Sequence, residues 1–307
     1  MTNVSAQMVK TLREKTGAGM MDCKKALGET NGNIEEAVDW LRKKGLSAAA
    51  KKADRVAAEG LVAFSVKKGT GALIEVNAET DFVSRNEVFQ DFASTLANLV
   101  LEYGEDIEAL KSMPYPETGR SVEEQLTHNI ATIGENMAIR RAVRVDGADL
   151  VVPYMHNSIA EGVGKIGVLI SIKSEASGSE LEILGKQLAM HVAATSPQAL
   201  SVAELDPVSV DREKNVLTEQ AKASGRPDEI IEKMVEGRLK KFYQEVVLLE
   251  QTFVIDNETK VSAVIEKIAQ ELGKQVELTG FHRLSLGEGI EKDEADFASE
   301  VAATLSN

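Results

Sequence analysis

The sequence predicts an α+β protein built from several compact units. Three observations carry that reading. Runs with strand alternation, such as Gly60 to Val66 and Gly71 to Asn77, are separated by hairpin signals. Stretches of helical periodicity precede, divide and follow them. One strand pattern also recurs: Gly167-Val168-Leu169-Ile170-Ser171-Ile172 repeats Gly71-Ala72-Leu73-Ile74-Glu75-Val76 at a spacing of 96 residues.

Residues 1–54 read as a three-helix module. Val4, Met8, Val9 and Leu12 recur at helical spacing, with Ser5 as the N-cap. Thr16-Gly17-Ala18-Gly19 ends that helix, and Met21, Cys23, Ala26 and Leu27 line a second. Asn33 caps a third, with Glu36 at capping-box spacing and Ile34, Ala37, Val38 and Leu41 on its apolar face. So small a core suits a module presented to something else. Ala48 to Ala58, rich in Ala and Lys, reads as a helical linker.

Residues 55–147 form a first core subdomain: two strands joined at Lys67-Lys68-Gly69-Thr70, then a helix with Phe89, Phe92 and Leu96 on one face. Residues 148–200 and 251–286 form the second. Its strands are Val151 to His156 and Gly167 to Ile172, and its helix carries Leu181, Leu184, Leu188 and Val192. Between its two pieces, residues 201–250 read as a helical hairpin. Ile231, Val235, Leu239, Phe242, Val246 and Leu249 step close to coiled-coil spacing, and the Ser224-Gly225-Arg226-Pro227 break divides the helices. The hairpin either packs on the body or projects as an arm. A strand at Val276 to Leu286 and helices near Val261–Leu272 and Asp293–Leu305 complete the chain, with residues 287–307 as a C-terminal module.

Charge is uneven. The formal net charge is −14, yet residues 1–60 carry eleven Lys and Arg against eight Asp and Glu, which leaves −17 on the rest. So acidic a body repels phosphate backbones, so direct nucleic-acid binding is not expected. No apolar run approaches the ~20 residues of a membrane helix. The N-terminus lacks a signal pattern, and Cys23 has no second cysteine to pair with. These features predict a soluble cytoplasmic protein. No phosphate loop, metal-ligand cluster or cofactor motif is present. The histidines are scattered, and His191 reads as a structural residue on an apolar helix.

The tetrapeptide Thr80-Asp81-Phe82-Val83 follows the second strand. Phe82 is either a core residue or a wedge for a partner. The repeated subdomain has Lys173-Ser174-Glu175-Ala176 there instead, so the subdomain itself does not need the ring, which favours the wedge. Asp81 lacks the second carboxylate or histidine that acid–base catalysis would need.

Several segments carry a family resemblance. Leu12-Arg13-Glu14-Lys15-Thr16-Gly17-Ala18-Gly19-Met20-Met21-Asp22-Cys23-Lys24-Lys25-Ala26-Leu27 resembles the N-terminal signature of bacterial elongation factor Ts, and Glu75 to Val83 resembles its second signature. Ile133-Gly134-Glu135-Asn136, Met234 to Arg238 and Gly287 to Lys292 fit as well, whereas 102–122 and 198–225 carry no motif of the family. The resemblance implies a nucleotide exchange factor rather than an enzyme. It would bind elongation factor Tu, disturb the magnesium and phosphate site through Thr80 to Val83, and insert Phe82 as the wedge. It also implies a ubiquitin-associated-like N-terminal module, partner contacts by Arg13, Met20, Met21, Asn77 and His156, and no cofactor. It admits higher-order assembly of the partner complex. The alternative is a passive scaffold or holding protein that uses the coiled-coil arm.

Overall fold

The structure, a computed structural model, describes residues 4–176, 178–223 and 225–291. Ser5 caps α1 (Ala6–Thr16), accepting from the Met8 amide at 3.2 Å, and Gly17 ends it in the left-handed region. After α2 (Met20–Glu29), Asn33 caps α3 (Ile34–Ala50) through the Glu35 and Glu36 amides. The Glu36 carboxylate accepts from the Asn33 side-chain amide at 2.9 Å rather than from its backbone, so the reciprocal half of a capping box is replaced by a side-chain bond. Leu12, Cys23, Ala26, Leu27 and Ala37 close the core of these three helices.

The predicted helical linker is corrected here. Helix α3 ends at Ala50, and residues 51–54 are tight turns. The Ala53 and Arg55 carbonyls accept from the Asn136 side-chain amide at 3.4 and 2.7 Å, which draws them out of a helical ladder. Tertiary partners outweigh the helix propensity of alanine and lysine.

Strands β1 (Glu59–Lys67) and β2 (Thr70–Ala78) form an antiparallel hairpin, paired from Glu59 with Ala78 to Lys67 with Thr70. Helix α4 (Glu87–Tyr103) follows, then α5 (Ile107–Ser112), α6 (Val122–Ile133) and β3 (Met137–Val145), which pairs with β2. Next come β4 (Leu150–His156), the short β5 (Val163–Gly164), β6 (Ile166–Ser174) and α7 (Ser179–Thr195). Helices α8 (Pro207–Lys222) and α9 (Asp228–Val246) form the hairpin, and α10 (Val261–Leu272) and β7 (Val276–Ser285) complete the described elements. The helix expected at Asp293–Leu305 lies outside the described residues.

Two antiparallel sheets result, in the orders β3-β2-β1-β5 and β4-β6-β7. One face of β2 presents Ala72, Ile74 and Val76 to Phe89, Phe92 and Leu96 of α4. The matching face of β6 presents Val168, Ile170 and Ile172 to Leu181, Leu184 and Leu188 of α7. The opposite faces meet each other, with Val62 and Leu73 against Val151, Leu169 and Leu284. Positions 96 residues apart match in this contact. A side chain at Gly71 would come within 3.0 Å of Leu169 Cδ1, and one at Gly167 within 2.7 Å of Leu73 Cδ2. Each sheet thus lacks a side chain where the other inserts a leucine. Burying a leucine contributes about 1.5–3 kcal/mol, so the two glycines make room for a substantial share of the inter-sheet packing. A register shift falls between Glu75 and Val76 in one sheet and between Ser171 and Ile172 in the other, again 96 residues apart.

Helices α8 and α9 pack on each other through Leu217, Ala221, Ile231 and Val235, with Leu239 beside them, as a cluster distinct from the sheet cores. At their base, Ala199, Leu205 and Val247 pack with Val210, Phe242 and Val246.

Candidate functional site: an exposed aromatic ring on a clamped loop

Strand β2 ends at Ala78, and the chain turns through Thr80 and Asp81 into a single 3-10 turn at Val83–Arg85. The residues around Phe82 are tied down. The Ser84 hydroxyl donates to the Asp81 carbonyl at 2.5 Å, and the Arg85 amide donates to the Phe82 carbonyl at 3.1 Å. The Gln90 side chain holds the Ser84 carbonyl at 2.8 Å, and Asn86 caps α4 through the Val88 amide. Val83 is buried in the α4 core. Phe82 points outward, 77% exposed, beside the exposed Asp81. The core-residue reading of Phe82 is therefore excluded. Leaving such a ring in water forgoes about 2 kcal/mol of burial.

Upstream of the ring, the Thr80 amide and hydroxyl both donate to the Glu135 carboxylate, at 2.9 and 2.6 Å. Glu79 accepts from the Asn136 amide and faces the Arg55 guanidinium at 3.4 Å. Gly134, the left-handed cap of α6, turns the chain so that Glu135 reaches this loop.

Asn77 departs from the sequence expectation. It is 1% exposed, and its side-chain amide donates to Glu75 at 3.0 Å and to the Glu59 carbonyl at 3.4 Å. Direct contact with a partner is closed to it, because strand alternation places it, two residues after Glu75, on the inward face of β2 that also carries Leu73. Glu75 itself is fully buried. It accepts from Arg140 at 3.1 Å, from Arg141 and from the Gly287 amide at 2.8 Å. Burial pushes its carboxyl up, but the Gly287 and Arg141 hydrogen bonds, the Asn77 bond and the Arg141 charge outweigh that and hold it below its ordinary value. Sequence reasoning missed this cluster, since a strand glutamate ordinarily marks a solvent face.

The other predicted residues lie on separate surfaces. Arg13 is exposed near the end of α1, and Met20 and Met21 open α2 at 61% and 74% exposure. His156 ends β4 on the second sheet, exposed, with its Nδ1 3.1 Å from the Tyr154 hydroxyl. Cys23 is buried, and burial pushes its thiol above 9.0, so it is protonated at neutral pH. His191 is buried between Gln251, at 2.8 Å from Nε2, and the Val254 amide, at 3.2 Å from Nδ1. It is structural, as its apolar helix predicted. Among the described residues no helix is long and apolar enough to cross a membrane.

Comparison with known proteins agrees with the motifs. The model of the family described as elongation factor TS matches residues 79–288, a span that includes the Thr80 loop, the Glu135 turn and Gly287. The chain is 60% identical over 307 residues to elongation factor Ts of Rhodospirillum rubrum, with 99% of each chain covered. It is 58% identical over 304 residues to that of Rhodospirillum centenum, again with 99% of both covered. A third relative, elongation factor Ts of Sinorhizobium fredii, is 51% identical over 301 residues, covering 98% of each. With the signature loops in place and relatives alike along almost their whole length, the chain belongs to the elongation factor Ts family.

Proposed function

We propose that the protein is a guanine-nucleotide exchange factor that binds elongation factor Tu carrying GDP, disturbs its magnesium and phosphate site, and promotes GDP release and GTP loading during translation elongation. The observation that supports this reading best is Phe82, an aromatic ring left in water on a loop whose other residues are anchored. Magnesium bridges nucleotide phosphates, so a ring driven into the partner beside that ion weakens nucleotide binding with no covalent step. The energy comes from the interface formed with the nucleotide-free partner. By linkage, GDP must weaken binding of the factor by the same ratio. Arg13, Met20 and Met21 would dock the N-terminal module, and His156 would touch the partner from the second sheet. Asp81, exposed beside the ring, would act by charge at the phosphate site rather than as a proton donor.

The direct experiment adds catalytic amounts of the protein to elongation factor Tu loaded with labelled GDP and follows release. Turnover of many partner molecules per factor is the expected result. Release that only matches the amount of factor added counts against exchange and favours the second reading. That reading, a passive holding protein, draws on the α8–α9 hairpin, which has its own apolar seam and exposed Val208, Val216 and Ile230.

A further inference from the structure

The bonds between the Thr80 loop and the turn after α6 continue a pattern that the backbone abandons. Strands β2 and β3 pair up to Ala78 with Met137. One step further along that register Glu79 would face Asn136, and two steps further Thr80 would face Glu135. The main chains no longer pair there. Two carboxylates take the place of the carbonyls instead: Glu79 accepts from the Asn136 amide, and Glu135 accepts from the Thr80 amide and hydroxyl, at 2.9 and 2.6 Å. Side-chain acceptors let the two chains diverge while remaining bonded. That divergence carries residues 81 and 82 out of the sheet.

On the exchange reading above, we infer that Glu135 is a positioning residue that holds the Phe82 ring in its projecting pose. Phe82 lies two residues beyond Thr80. Downstream, the loop is fixed by Ser84 on the Asp81 carbonyl and by burial of Val83. Upstream, in this loop, Thr80 is anchored by Glu135. Hydrogen bonds to a charged acceptor are stronger than neutral ones, and two of them converge on one residue here. Without the carboxylate the loop keeps its downstream anchor and, upstream, only the Glu79–Asn136 bond, so residues 80–82 gain freedom between the two and the ring samples poses that miss the partner. A ring ordered before the encounter costs less to order during it. Loss of Glu135 therefore slows the exchange step more than it weakens docking, which the N-terminal module supplies independently.

The test uses the full chain with Glu135→Ala, Glu135→Gln and Thr80→Val. Hydrogen–deuterium exchange over residues 79–83 of the free protein reads the clamp without reference to activity. GDP release from elongation factor Tu at saturating factor, and affinity for the GDP-bound partner, read its consequence. Glu135→Ala is expected to lose amide protection at Thr80 and to lower the saturating rate about tenfold, while affinity changes less than about threefold. Glu135→Gln keeps one acceptor and should restore most of the rate. Thr80→Val removes only the hydroxyl bond and should cost about threefold, and it decides the matter if Glu135→Ala fails to fold. Unchanged protection in Glu135→Ala, or a normal saturating rate with protection lost, overturns the inference. If the wild-type protein releases no GDP, the exchange reading falls, while the protection measurement still decides whether Glu135 orders the loop.

Discussion

Replacing Phe82 with alanine removes a side chain that buries almost nothing in its own molecule. Stability should then change by no more than about 0.5 kcal/mol, as for other surface substitutions. Exchange should fall tenfold or more, equivalent to about 1.4 kcal/mol of barrier. Thermal melting paired with GDP release separates the two effects, and a normal release rate would remove the wedge role. Glu75 presents the opposite case, since it is buried and bonded on several sides. Removing a buried charge partner costs about 3–5 kcal/mol, so Glu75→Ala should melt well below the wild type. The folded state holds the Glu75 carboxyl below its ordinary 4.5. Its stabilisation is therefore complete above that value and is lost as pH falls through the lower, folded one. Three histidines add to the acid sensitivity, among them His282, which burial lowers against the opposing charge of Glu105. Burial lowers His191, although its Gln251 bond opposes this, and burial together with the nearby Arg120 charge brings His128 to about 4. All three are neutral when folded near pH 7, so their contribution declines once pH drops below the ordinary histidine value of 6.5. Melting temperature followed from pH 7 downward should begin to fall near 6.5 and steepen below 4.5. Glu75→Gln, already weakened at neutral pH, should flatten the lower part of that curve, and an unchanged slope would mean that other carboxylates dominate it.

At the scale of elements, the α8–α9 hairpin offers a simple test. Its cluster of Leu217, Ala221, Ile231, Val235 and Leu239 is separate from both sheet cores, so its outer half depends on its own two helices. Shortening it about Gly225 by one whole heptad from each helix keeps the seam in register. The body should melt at an unchanged temperature, and most exchange activity should remain. Large loss of exchange with helicity retained by circular dichroism would show that the hairpin touches the partner. The helices of the hairpin were legible in the sequence because Ile231, Val235, Leu239, Phe242 and Val246 repeat along α9, whereas Leu249, expected on the same seam, lies beyond the helix and packs on the second sheet's core. So were β1, β2 and α4, where one face is consistently apolar. Strand β3 was not legible. The register shift between Glu75 and Val76 breaks its alternation, so Ile139 and Ala142 face the α4 core, whereas Val143 and Val145 face the other sheet. The same shift lets the consecutive Arg140 and Arg141 both reach Glu75. Of the candidate site, Phe82 was legible through its absence from the repeated strand pattern. Its support by Glu135 was not, because 55 residues separate Glu135 from Thr80 and no local periodicity records such a pairing.

Across the whole molecule, the question is how far the N-terminal module is independent of the body. Its own core of Val9, Leu12, Cys23, Ala26, Leu27 and Ala37 touches neither sheet. Elsewhere the separation is incomplete. Helix α3 runs onto α6, where Arg42 pairs with Glu124, and Ala49 reaches the α4 core. Beside that contact the module stands off, leaving a cleft of about 400 Å³ with Lys15, Asp39, Arg120 and His128 among its walls. Asn136 then ties the chain leaving α3, at Ala53 and Arg55, to the turn that carries Glu135. Deleting residues 1–54 therefore removes the surface proposed to dock, uncovers part of α6 and breaks one of the Asn136 bonds. The second sheet core keeps every residue, and the first loses only Ala49, which is partly buried against it. The truncated chain should fold and unfold cooperatively, with a melting point lower by several degrees, at about 2–4 °C for each kcal/mol lost. Binding to elongation factor Tu should weaken tenfold or more, because Arg13, Met20 and Met21 leave with the module, a loss of about 1.4 kcal/mol or greater. Residual exchange at high concentration should persist, since the Phe82 loop and both of its anchors remain. Calorimetry and a concentration series of GDP release test the two parts separately. If the truncated chain melts without a cooperative transition, the α3–α6 contact is integral to the fold, and the boundary at residue 54 divides a single folding unit.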